Sequence, residues 1–71
     1  MSVFIISVGE RGEGSTVQAV ASTIEKAIEI AMAQECWGGE WKQSANHYGQ
    51  DGRWIWSCGC DYVSIEKREV V

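Results

Sequence analysis

The chain has a single histidine, three cysteines and only six lysines and arginines against ten aspartates and glutamates. No apolar stretch of it approaches the roughly 20 residues that cross a bilayer, which excludes a membrane-spanning helix. The first residues lack the basic segment of a signal peptide, so the chain is expected to stay in the cytoplasm, the host cytoplasm if it is phage-encoded. Three cysteines cannot all pair within one chain, and without an export signal they are expected to remain free thiols in a reducing compartment, with no disulfide. The formal charge of −4 repels phosphate backbones. A nucleic-acid binder would need a basic patch that so few cations do not build, so neither nucleic acid nor a membrane is an expected partner. Seventy-one residues are about half of a typical domain, which leaves room for one small domain over residues 1–71 and none for a separate cofactor unit.

What the chain does have is apolar and aromatic mass. Hydrophobic residues make up 45% and charged residues 23%, a balance that supports a folded core rather than a disordered chain. Four Trp, two Tyr and one Phe supply large buried areas to a chain of this size.

The order of elements follows from local pattern. Val3 to Val8 is β-branched and aromatic, too short for an amphipathic helix, and predicts a first, central strand. Gly9 to Gly14 holds three glycines and predicts a hairpin loop, after which Thr16 to Ala21 returns as an antiparallel strand. Ser22-Thr23-Ile24-Glu25 has the form of a capping box with Ser22 as the cap, opening a helix that runs without Gly or Pro through Gln34. Ile24, Ala27, Ile28 and Ala31 fall on one stripe of that helix, and Gly38-Gly39 ends it. Two further strands, Glu40 to Tyr48 and Arg53 to Gly59, flank the turn Gly49-Gln50-Asp51-Gly52. Pairing Tyr48 with Arg53 puts Trp54, Trp56, Cys58 and Trp41 on the face that meets the helix. The other face, carrying Lys42, Tyr48, Arg53 and Ile55, is left open. Tyr62 to Lys67 is expected to be an edge strand. The result is an α+β fold of order ββαβββ, a twisted antiparallel sheet of about five strands with one helix on one face.

Two chemical constellations can be written down. Cys36, His47, Cys58 and Cys60 give the Cys₃His donor count of a zinc site, which makes a small zinc-binding domain one alternative. Their spacing lacks the two-to-four-residue knuckle of structural zinc, and buried Cys is often a plain small hydrophobe, so no metal is expected. Cys58, His47 and Asp51 could be drawn as a nucleophile, base and orienting acid, but the chain has little mass for a walled pocket, and no enzyme is expected. The Gly9 to Gly14 segment lacks the Gly-Lys-Ser/Thr order of a phosphate loop and carries two glutamates, so no cofactor is expected. The Trp residues as stacking platforms for single strands are opposed by the net charge.

One set of residues resembles a known family. Gly14-Ser15-Thr16-Val17-Gln18-Ala19, then Ala27, Ile30 and Ala31, then Gln34-Glu35-Cys36-Trp37-Gly38, a glycine-ended hairpin and Trp54 together resemble the ninth family of type I-F anti-CRISPR proteins, over roughly residues 3 to 59. The resemblance implies a short helix on a curved antiparallel sheet. It also implies a phage-encoded inhibitor that binds the crRNA-guided surveillance complex along its backbone subunits. Where that family has a basic pair on the helix, this chain has Ile28 and Glu29, so those contact residues are not carried over. An acidic chain suits instead the Lys and Arg of a nucleic-acid-handling protein. The expected function is therefore a stoichiometric protein-binding module, a phage-type inhibitor or alternatively a host adaptor or structural interaction domain. Tyr and Arg are favoured at interface hot spots, so the expected surface is Lys42, Tyr48, Arg53 and Ile55, with the acidic Gly9 to Gly14 loop and the helix face of Glu25 and Glu29 as a second surface.

Overall fold

Alternation decides the first strand. Phe4, Ile6 and Val8 point to one side, and Val3, Ile5 and Ser7 to the other, as the period of two in an extended chain requires. The structure, a computed structural model, describes residues 1–10, 12–36, 39–49 and 52–70, with the backbone alone at 45–48. It has the expected ββαβββ order: β1 (Ser2–Glu10), β2 (Gly14–Ala21), α1 (Ile24–Met32), β3 (Lys42–Tyr48), β4 (Arg53–Cys58) and β5 (Asp61–Glu69). The strands form one antiparallel sheet in the order β2-β1-β5-β4-β3.

The helix covers one face. Ala27 and Ala31 are fully buried against Ile6, Val63 and Ile65, with Phe4, Ala21 and Trp56 closing the same core and Ile24 and Ile28 packed beside it. The two alanines permit the close approach of helix and sheet that larger residues would block. Phe4 and Trp54 meet edge to face across the core, with ring centroids 5.9 Å apart.

Four expectations are corrected. The helix cap is Thr23, one residue later than expected, whose hydroxyl accepts from the Lys26 amide at 3.2 Å; Thr23 has the extended backbone of a cap, and Ile24 is already helical. The helix ends at Met32 and not at Gln34, because Ala33 donates to both Glu29 and Ile30 carbonyls and the Gln34 side chain turns back to the Ile30 carbonyl at 3.1 Å. The strand at Asp61–Glu69 is the middle of the sheet and not its edge: it pairs with β1 from Ser2↔Glu69 to Glu10↔Asp61, and with β4 from Arg53↔Glu66 to Cys58↔Asp61. The β3–β4 register is also different. Lys42 lies opposite Ser57 and Gln43 opposite Trp56, and an irregularity then brings Tyr48 opposite Trp54 rather than Arg53. Gly49 explains the shift: its amide bonds the Arg53 carbonyl at 2.7 Å while the Trp54 indole lies on its Cα.

Candidate protein-binding face

Among the described residues the sheet has one face covered by α1 and one that no element covers, and the register specifies what the second displays. Ile5, Ser7 and Gly9 of β1 align with Val20, Val17 and Ser15 of β2 and with Glu66, Ser64 and Tyr62 of β5. Glu66, Ser64 and Tyr62 align in turn with Arg53, Ile55 and Ser57 of β4. Side chains opposite one another in a sheet share a face, so these residues form one surface away from α1. Its two ends differ. Toward β2 it is apolar, with Val17 and Val20 exposed at 59% and 57% beside Ile5. Toward β4 it is mixed: Arg53, Ile55, Tyr62, Ser64 and Glu66 line a hollow of about 260 Å³, and the Arg68 guanidinium bonds the Glu66 carboxylate at 2.8 Å.

Tyr62 is fixed by a glycine. Gly9 sits directly across from it, and a side-chain carbon on Gly9 would meet the Tyr62 hydroxyl at 2.8 Å and collide with the Gly14 carbonyl oxygen. The ring therefore lies over bare backbone, level with the rest of the face.

A second surface is acidic. At the end of the sheet, Glu10 and Glu13 of the first hairpin, Glu35 beyond the helix and Asp61 at the start of β5 line a cleft of about 520 Å³. The Glu13 amide donates to the Glu10 carbonyl at 3.0 Å, and the loop expected over Gly9 to Gly14 is shorter than that, because Gly9 and Glu10 belong to β1 and Gly14 to β2.

The expected surface residues fall into three groups. Arg53 and Ile55 stand on the uncovered face, and Lys42, exposed and opposite Ser57, shares it. The backbone of Tyr48 lies opposite Trp54, and its side chain lies outside what is described. Glu25 and Glu29 are exposed on α1, where Glu29 pairs with Lys26 at 3.3 Å, and they belong to the other side of the molecule. Ile5, Val17, Val20 and Tyr62 lie outside the surface expected from the sequence. The available signal was β1, apolar at odd and even positions alike, as a strand with contacts on both faces would be.

The cysteines correct one expectation outright. Cys36 and Cys58 form a disulfide, with Cα atoms 5.9 Å apart, and Cys60 is the free, exposed cysteine. Cys36 stands four residues past the end of α1, where Trp41 donates its indole N–H to the Gln34 carbonyl at 3.2 Å. Neither bridged sulfur is a thiolate, so Cys58 as drawn lacks the nucleophile, and Cys36 and Cys58 lack the charge a zinc ligand needs. The side chain of His47, and Asp51 and Trp37 entirely, lie outside the described residues. Among the described residues no group of three or more His, Cys, Asp or Glu is arranged to hold a metal ion, and no helix is long and apolar enough to cross a membrane.

No family model, curated protein or solved structure matches this chain. The surfaces themselves therefore have to carry the functional reading.

Proposed function

We propose that this chain is a small protein-binding module that acts stoichiometrically and without catalysis, with its partner seated on the uncovered face of the sheet. The observation that supports this reading is a five-stranded sheet with its helix on one side only, whose other side presents Ile5, Val17, Val20, Ile55 and Tyr62 with Lys42 and Arg53. Apolar and aromatic groups mixed with Arg are the composition of an interface centre. The family resemblance supplies the specific form, a phage-type inhibitor of a bacterial defence complex working in the host cytoplasm. The acidic cleft at the sheet end gives such a chain the sign that meets Lys and Arg meant for nucleic acid.

The test is titration of a purified crRNA-guided type I-F surveillance complex with the chain, reading DNA binding by the complex. Inhibition should saturate at a fixed whole-number ratio. Lys42→Gln combined with Arg53→Gln should weaken it about tenfold, about 1.4 kcal/mol, with urea unfolding of the same variant separating loss of binding from loss of stability. Absence of binding would sink the inhibitor version. Binding that survives this pair but is lost with Glu10→Lys and Glu13→Lys would move the surface to the acidic cleft.

A further inference from the structure

We propose that the outer edge of β2 is a self-association surface on which a second copy of the chain adds its own β2 antiparallel, joining two sheets into one of ten strands. Among the described residues β2 is the terminal strand and pairs with β1 alone, so alternate amides and carbonyls along its eight residues point away from the sheet. An edge of this kind is a template for another strand.

Natural sheet edges are usually guarded by Lys, by Pro or by inward charges. Gly14-Ser15-Thr16-Val17-Gln18-Ala19-Val20-Ala21 contains no Lys, Arg, Asp, Glu or Pro. The other edge is guarded: β3 begins with exposed Lys42 and loses regular register between Gln43 and Tyr48. The single irregularity in β2 is the bulge that leaves Gln18 without a partner between Ala19 and Val17. It adds twist but leaves regular pairing on both sides of it.

The self-complementary antiparallel edge suits a second copy, and charge sets the direction in which it adds. Each copy carries a formal charge of −4, so two copies repel over most of their surface and can meet where carboxylates are absent. The β2 edge is such a place. Antiparallel addition sets the Glu10 and Glu13 end of one copy beside the uncharged Ala21-Ser22-Thr23 end of the other, whereas parallel addition would stack those glutamates on their own counterparts. The two-fold axis of an antiparallel pair stands perpendicular to the sheet, so both helices lie on one side and both uncovered faces on the other. Val17 and Val20 of the two copies then join across the seam with each Ile5, which gives an apolar strip a reason to border the edge.

The seam shares Val17, Val20 and Ile5 with the proposed partner face, but self-association is read without any partner present. Its test is sedimentation velocity of the full chain from micromolar to millimolar concentration, paired with amide exchange. The mass should move from one chain to two as concentration rises, and amides of β2 should gain protection in step. Val17→Lys should raise the dissociation constant about tenfold or more with unchanged circular dichroism, and Thr16→Lys serves the same purpose if Val17→Lys fails to fold. Lys42→Gln with Arg53→Gln, away from the seam, should weaken the dimer far less than either β2 lysine. A single-chain mass at millimolar concentration, or a dimer indifferent to Lys at both β2 positions, would overturn it.

Discussion

Trp54 and Trp56 stand two residues apart on β4 and face the same way, yet they hold different parts of the molecule. Trp56 is buried in the core cluster, whereas Trp54 is half-buried and divides its ring between Phe4 and the backbone of Gly49. Trp56→Ala should therefore lower stability by about 3 to 5 kcal/mol, and Trp54→Ala by the lower end of that range, both read by urea unfolding. Gly49 has φ 104°, and a side-chain carbon there would meet the indole at 2.8 Å. Gly49→Ala should cost upward of about 1 kcal/mol in the native background. It should cost less once Trp54 is Ala, so the two changes will not add. The shared face of the two tryptophans was legible from their spacing of two. The seat of Trp54 on a glycine was not, because it depends on a register set by the turn geometry and not by the hydrophobic pattern.

At the scale of elements, the disulfide does what the short helix cannot do alone. α1 is nine residues long, less than isolated helices need to persist in water, and it is kept in place by its apolar stripe and by the bridge that ties its exit to β4. Cys36→Ser should lower stability by about 2 to 4 kcal/mol, since the bridge closes a loop of sequence separation 22. Thiol titration of the native oxidised chain should find one reactive group, Cys60, and three after reduction and unfolding. The helix and its buried stripe were legible because capping and periodicity are local signals. The bridge was obscured by cysteine number and inferred compartment, neither of which reports that Cys36 and Cys58 are brought to 5.9 Å. Likewise β5 presents Val63 and Ile65 inward as any half-buried strand would, and its charged tail suggested an edge. Whether a strand has one neighbour or two is decided by pairing with β1, some sixty residues away in places, which no local pattern records.

For the whole molecule, the fold class and the existence of one bare face were readable, and half of that face was not. Lys42, Arg53 and Ile55 were found through the second hairpin, while Ile5, Val17, Val20 and Tyr62 entered the surface only once β5 stood between the two hairpins. That placement has a consequence for how the chain is made. β1–β2 and β3–β4 can each form as soon as they are synthesised, but no strand pairing joins them until the strand at Asp61–Glu69 arrives with Val63 and Ile65, so the hydrophobic core is completed last. A chain stopped after Cys58 should show no cooperative unfolding, since both hairpins then lack their shared neighbour. The first and last described residues are already joined by the Val70 amide donating to the Met1 carbonyl at 2.8 Å. A rearranged chain that leads with β5 and continues through a short linker into β1 should therefore reach the same fold, and on a ribosome it would meet its central strand first instead of waiting for it.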